Sequence, residues 1–376
     1  MSEDSSRILV VDDDPGMRRA MDRILAPLYD VTMADGAVQA LDRLAEDPFE
    51  VALVDIRLGD GDGYALCEEI RRRSPETDVI LITGSISQPD EKLYRSLEGD
   101  AFYFLFKPFE RRVLRALVER CLRLQRERRA KEEYAAALAE DLERAKHFQH
   151  SLQPSAPLEA AGWRIEGLFL PCDAVGGDFW MALLERDGSA VVALADIVGH
   201  GVSAAMYAGM LRSTLDAARR SDPMPDKVQK ALVQGIDFFE ASRFASLFYG
   251  HLGVDGEVGY FSAGHPPGLW GKAKGGIEEL ASTGLLLMNV FRTQSRKVET
   301  RTFVPGDRLF LYSDGASEAM SPAQEELGVE GLIEALEETR RSSLTDALET
   351  IRARILAHAA GRPIEDDVTL VLVERL

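Results

Sequence analysis

The stretch Leu194-Ala195-Asp196-Ile197-Val198-Gly199-His200-Gly201 constrains the fold more than any other. An apolar run from Ala190 delivers a carboxylate into a glycine-bounded loop, and a helix-like segment from about Ser203 carries the chain away. A buried strand ending in Asp is one way to fix a metal ligand, because the strand positions the side chain and the loop exposes it. Three other acidic signals stand in the same setting, each at the edge of an apolar run. They are Gly176-Gly177-Asp178, Tyr312-Ser313-Asp314-Gly315 and Asp366-Asp367-Val368-Thr369-Leu370.

If Asp178, Asp196, Asp314 and Asp366 converge, a cation must hold them together. Two carboxylates ~4 Å apart repel by about 4 kcal/mol at an effective dielectric constant of about 20. An all-oxygen set with no His or Cys cluster suits Mg²⁺ or Mn²⁺, not zinc. Two such cations, about 3.5–4 Å apart and sharing a carboxylate, can activate a water for in-line attack on phosphate. No serine or cysteine nucleophile is then needed.

Strand-like runs surround these sites: Trp163 to Leu170, Phe179 to Leu184, Ala190 to Ile197, Ala245 to Val254, Glu257 to Ser262, Lys297 to Phe303, Arg308 to Ser313 and Val368 to Glu374. Helical segments are expected at about Ser203–Arg219, Pro225–Glu240, Glu330–Thr339 and Leu344–Ala359. Many strands with paired helices predict an α+β sandwich over 154–376, sheets inside and helices outside.

The N-terminal third reads differently. Arg7 to Val11 is a buried strand ending in Asp12-Asp13-Asp14, and Pro15 opens a helix. Similar units follow: Asp30 to Met33 and a helix from Ala37, Phe49 to Ile56 and a helix from Tyr64, Asp78 to Thr83 and a helix near Glu91, then Phe102 to Leu105. Alternating strands and helices predict a doubly wound parallel α/β sheet over 1–109, with its ligands at the carboxyl ends of the strands. That edge would carry Asp12, Asp13, Asp55, Thr83 and Lys107. Clustered carboxylates bind a hard cation, one carboxylate can accept a phosphoryl group, and a Lys and a Thr hydroxyl can hold its oxygens. Asp14, Asp60 and Asp62 read as loop caps.

Between the two lies a connector, 110–153. Positions 114, 117, 121, 124, 128, 131, 135, 138, 142, 145, 149 and 152 alternate by three and four, and nine of the twelve are apolar. The seam breaks at Arg128 and Lys131. No Gly or Pro interrupts Glu110 to Gln153, so a continuous helix would run about 65 Å at ~1.5 Å per residue. The charged stretch 125–133 suits a solvated helix, and the pattern favours a parallel coiled-coil dimer.

Net charge is −19 and uneven. Residues 1–108 carry 12 basic and 23 acidic side chains, whereas 109–153 carry 11 and 8. An acidic C-terminal half with no basic helix-turn-helix argues against DNA as a ligand. No apolar run reaches membrane length, the first residues are polar, and Cys67, Cys121 and Cys172 form no metal or redox motif. The expected setting is the cytoplasm, with reduced thiols.

The N-terminal third resembles the receiver domain of two-component response regulators. That resemblance makes Asp55 the phosphoacceptor and gives Asp12, Asp13 and the Arg57 carbonyl to Mg²⁺. Thr83 becomes the switch hydroxyl, Lys107 the phosphate-binding lysine and Phe104 the rotating aromatic. Gly59 stands where many receivers have Pro. Residues 149–374 resemble the metal-dependent PPM (PP2C-like) serine/threonine phosphatases, in the branch of sporulation and stress-response partner-switching phosphatases. Five motifs carry this: 175–180, 195–201, 262–267, 312–315 and 366–370. By the resemblance, Asp196 bridges two Mn²⁺ or Mg²⁺ ions, the Ile197 carbonyl ligates one, Asp314 and Asp366 complete the other site, and Asp178 binds directly or through water. Asp367 is the weaker ligand candidate of its pair. Met181 and Gly284-Leu285-Leu286-Leu287-Met288 depart from the family pattern. His200 and His265 read as residues that order glycine loops.

The implied protein is a response regulator with a phosphatase output. A sensor histidine kinase would phosphorylate Asp55, and the output would dephosphorylate a STAS-type anti-sigma-factor antagonist. The alternative is an inactive adaptor that sequesters a sigma factor or another partner. Such an adaptor has no reason to keep four repulsive carboxylates.

Overall fold

The computed structural model describes residues 5–84, 102–154, 156–160, 162–237, 243–291, 294 and 296–376. The chain divides into two compact units, 1–136 and 137–376.

In the first unit, strands β1 (Arg7–Val11), β2 (Asp30–Ala34), β3 (Val51–Asp55), β4 (Asp78–Thr83) and β5 (Phe102–Phe106) form one parallel sheet in the order β2-β1-β3-β4-β5. Side chains alternate along the strands, so each residue's parity selects its face. Leu9, Val11, Ala52 and Val54 pack under helices α2 (Ala37–Glu46) and α3 (Gly63–Arg73). Ile8, Val10, Val51 and Leu53 pack with Met21 and Leu25 of helix α1 (Pro15–Leu25). Two covered faces explain why these strands read as unbroken apolar runs. The helix expected near Glu91 lies outside the described residues.

Helix α4 runs unbroken from Arg111 to Ser151. Its first turns are not a free seam. Leu114, Val118, Cys121 and Leu122 join the α1 face of the sheet, and Gln125 Nε2 donates to the carbonyls of Glu50 (2.7 Å) and Glu76 (3.0 Å). The start of the connector therefore packs on its own domain. The exposed remainder of the seam covers Leu124, Leu138 and Leu142.

In the second unit, strands β8 (Phe179–Leu184), β9 (Ala190–Ile197), β10 (Ala245–Leu252), β11 (Glu257–Ala263) and β14 (Glu299–Thr302) form one antiparallel sheet in that order. The second sheet runs β13 (Ile277–Leu280), β12 (Gly268–Gly271), β15 (Arg308–Tyr312), β16 (Val368–Arg375), β7 (Trp163–Leu170), β6 (Leu158–Ala160). Alternate residues of each strand point to opposite layers. Trp180, Val192, Leu194 and Phe248 meet Leu309, Leu311, Val371 and Val373 between the sheets. The other face of the first sheet packs on helices α5 (Val202–Ser221) and α6 (Pro225–Gly235). The other face of the second packs on α7 (Gly328–Glu338) and α8 (Leu344–Ala359). The expected sandwich is therefore a four-layer αββα stack. α6 ends at Gly235, short of the expected Glu240, and the strands β6, β12 and β13 were not anticipated. No described helix is long and apolar enough to cross a membrane.

Candidate active sites

The first site lies at the carboxyl edge of the parallel sheet. β1 ends into Asp12 and Asp13, β3 ends at Asp55, β4 ends at Thr83, and Lys107 follows β5. Oxygens of Asp12, Asp13 and Asp55 lie within 4.8 Å of one another, the only such acidic group among the described residues. Lys107 Nζ bridges Asp12 Oδ2 and Asp55 Oδ2, 2.8 Å from each. Asp12 is fully buried, and that burial pushes its carboxyl pKa up against the pull of Lys107. The Lys107 backbone N–H donates to the Thr83 carbonyl at 2.6 Å, tying the two strand ends together. Gly63 is required next to the site, since a Cβ there would lie 2.1 Å from the Asp55 carbonyl.

The other candidates also have places. Arg57 follows directly on the Asp55 loop, in a two-residue strand paired with Gly61–Asp62. Phe104 is half-buried against the α2–α3 face. Asp14 Oδ1 caps α1 through Gly16 N (2.7 Å) and Asp62 caps α3 through Tyr64 N (3.1 Å). Asp60 accepts from Ala37 N and Val38 N at the start of α2. All three carboxylates expected to be caps are caps.

The second site forms where both antiparallel sheets open at one end. In the first sheet Phe179 pairs with Ala195, which sets Asp178 beside Asp196. In the second, Tyr312 pairs with Leu370, which brings the loops holding Asp314 and Asp366 together. Each sheet thus contributes two carboxylates. They repel: burial first, then Asp314 and Asp366, push the Asp196 carboxyl up to about 8. Burial and then Asp196 hold the Asp178 carboxyl well above the usual range, and burial and then Asp366 raise Asp314. Asp366 is raised chiefly by burial. No three of these four bring oxygens within 4.8 Å of one another. Three oxygens on one hard ion sit closer together than this, so binding a cation would have to draw the carboxylates in.

Asp314 Oδ1 is buried and has no hydrogen-bond partner. An orphaned carboxylate oxygen on a residue repelled by Asp366 and Asp196 is costly unless a cation meets it. The donor set therefore fits hard divalent ions. Gly177 makes the geometry possible, because a Cβ there would sit 2.5 Å from the Ile197 carbonyl.

Sequence reasoning missed the residues that brace this site. Asp367 is buried and accepts from Cys172 N (3.0 Å), Gly177 N (2.7 Å) and Asp178 N (3.4 Å). Thr369 Oγ1 donates to Asp178 Oδ2 at 2.6 Å, and Ser313 Oγ donates to the Asp367 carbonyl at 3.0 Å. His265 is buried, with Nδ1 2.6 Å from Ser246 Oγ, and burial lowers its pKa to about 3, so it is neutral. His200 is exposed, 3.4 Å from Asp173. The divergent loop at Gly284 is held by Arg296, which donates to the carbonyls of Leu285 and Leu286 at 2.9 Å each.

A family model described as stage II sporulation protein E (SpoIIE) matches residues 186–376, just over half of the chain. The chain belongs to the SpoIIE family. A response regulator receiver domain model matches residues 8–119. The SpoIIE match begins after Asp178 and covers Asp196, Asp314 and Asp366. Among curated relatives, the phosphoserine phosphatase RsbU of Bacillus subtilis is 26% identical over 313 residues, 81% of this chain and 88% of RsbU. Protein IcfG of Synechocystis sp. is 28% identical over 269 residues, 62% of this chain but 41% of IcfG. The response regulator PilR of Pseudomonas aeruginosa is 37% identical over 122 residues, 32% of this chain and 26% of PilR. The SiaA-PP2C domain of Pseudomonas aeruginosa superposes with a TM-score of 0.57 at 18% identity, covering 65% of this chain and 98% of that domain. This SpoIIE-family chain therefore joins a receiver domain to a PP2C-like domain. PP2C-type phosphatases use Mg²⁺ or Mn²⁺, and a receiver implies a phosphodonor kinase.

Proposed function

We propose that this chain is a protein serine/threonine phosphatase switched by phosphorylation of Asp55. The observation that carries the reading is the meeting of two carboxylate pairs, one per sheet, around the unpartnered Asp314 Oδ1. Asp196 would be shared between two ions, with the Ile197 carbonyl and Asp178 on one side and Asp314 and Asp366 on the other. Two bound divalent cations supply an activated water for in-line attack on a phosphate ester. The chain's own residues hold that array open. Thr369 fixes the Asp178 carboxylate, and Asp367 fixes the loop behind it. In the receiver, Asp12, Asp13 and the Arg57 carbonyl would hold Mg²⁺ while Asp55 takes the phosphoryl group from a sensor histidine kinase. Lys107 and Thr83 would then hold the phosphate oxygens, and Phe104 would follow Thr83.

The likeness to RsbU supports a phosphorylated protein substrate, and we place it in the STAS class of anti-sigma-factor antagonists. The exposed seam positions Leu124, Leu138 and Leu142 support a homodimer through α4. The deciding experiment is Mn²⁺-dependent hydrolysis of an aryl phosphate, with Asp314→Ala as control, with and without beryllofluoride. Turnover that is lost in the variant and changed by beryllofluoride supports the reading. No turnover on aryl phosphate or on a phosphorylated STAS protein would overturn it.

A further inference from the structure

The segment Gly176–Trp180 carries Asp178 into β8, and it is nearly all buried. Its backbone N–H groups find side-chain acceptors from remote parts of the chain. Asp367 takes Gly177 and Asp178. The others belong to the end of α4. Gln149, in the last turn, accepts from Gly176 N through Oε1 at 2.9 Å. Gln153, one turn further, accepts from Trp180 N through Oε1 at 3.0 Å and donates through Nε2 to the Asp178 carbonyl at 3.2 Å. The two amides grip the backbone on both sides of Asp178.

Gln149 is only 1% exposed, and its Nε2 is buried without a partner. A buried amide with an idle donor is unfavourable, so the residue is kept for its acceptor. The helix end is seated by packing as well. Leu152 lies in the core with Phe179, Ala195 and Ile197. The Phe148 ring covers Gly209 of α5, where a Cβ would fall 2.8 Å from the ring. The Val175 carbonyl accepts from Gly201 N at 2.8 Å, so the gripped loop is joined to the loop after Asp196.

We propose that Gln149 and Gln153 are positioning residues that set the Asp178 carboxylate for metal binding by holding the backbone on either side of it. This rests on the phosphatase reading above for its consequence in turnover, but its first effect is on metal affinity. Neither glutamine touches an ion or substrate. Each acts through the backbone it holds.

The test uses the full chain. Mn²⁺ binding is read by electron paramagnetic resonance, the fold by circular dichroism, and aryl phosphate hydrolysis as separate kcat and half-saturating Mn²⁺. Partners of this kind cost about 10–100-fold in metal affinity when removed. Gln149→Leu with Gln153→Leu should weaken Mn²⁺ binding by about tenfold or more, with kcat recovering at saturating Mn²⁺. Gln149→Glu keeps the acceptor and should bind Mn²⁺ more tightly than Gln149→Leu, which decides the matter if the double variant does not fold. Unchanged Mn²⁺ affinity in Gln149→Leu, or equal loss in the Leu and Glu variants, overturns the proposal. A wild-type protein that binds Mn²⁺ without turnover sinks the phosphatase reading alone. One that binds no Mn²⁺ sinks both.

Discussion

Asp366 and Asp367 are neighbours in sequence, and the structure gives them opposite work. Asp367 holds three backbone N–H groups, and Asp366 lies near the carboxylates of Asp196 and Asp314. Asp367→Ala would leave the buried Gly177 N–H and the half-buried Cys172 N–H without acceptors. An unsatisfied buried donor costs about 1–3 kcal/mol, so the pair costs about 3 kcal/mol. Relief of repulsion with Asp178 offsets part of this. A domain of this size shifts by about 2–4 °C per kcal/mol, so the melting transition should fall by at most about 6–12 °C, with or without metal. Asp366→Ala removes a charge that raises Asp196 and Asp314. Its metal-free transition should stay within about 2 °C of wild type or rise, and stabilisation by Mn²⁺ should vanish. Tryptophan fluorescence is the assay, because Trp163, Trp180 and Trp270 are the only three tryptophans and all lie in the phosphatase unit. An Asp367→Ala protein that melts like wild type without metal yet loses the Mn²⁺ response would refute this division of labour.

Three further outcomes are expected. Without metal, Asp178, Asp196, Asp314 and Asp366 hold protons that the unfolded chain releases near pH 4, since all four carboxyl pKa values are raised, Asp196 to about 8. The metal-free domain should therefore lose stability as pH rises from about 4 to about 8, and saturating Mn²⁺ should flatten that slope; urea midpoints across the range read it directly. Gly176→Ala would place a Cβ 1.6 Å from Asp367 Oδ2, so the variant should yield little folded phosphatase domain, while phosphorylation of the receiver by acetyl phosphate persists. In the receiver, Lys107→Ala leaves Asp12 and Asp55 without their shared cation. It should keep or tighten Mg²⁺ binding while slowing phosphoryl uptake, and a loss of Mg²⁺ binding by calorimetry would contradict the geometry.

The legible part of this molecule was whatever a period of two or a strand end announces. Phe179 to Leu184 and Ala190 to Ile197 are apolar on both faces because one face meets the other sheet and the other meets α5 and α6. Their boundaries could be read directly, as could the acids that follow them. The short strands at Gly268 and Ile277 could not, because four residues give no periodicity and glycines flank both. The connector was ambiguous for a physical reason. A seam spaced by three and four serves equally for a partner helix and for the chain's own core, and here it serves the receiver core over 114–122. Nothing local separates Asp366 from Asp367 either, since what distinguishes them is contact with a loop some 190 residues away. The two glutamines were hidden in the same way. Gln149 was visible only as a polar interruption in an apolar seam, and polar residues at such positions weaken a helix pair unless something meets them. What meets Gln149 is the peptide that carries Asp178. A seam position that looks like a flaw in a coiled coil is, in three dimensions, an acceptor for a buried backbone N–H. The polar residue at that seam position therefore marks where the helix packs against the peptide that carries Asp178.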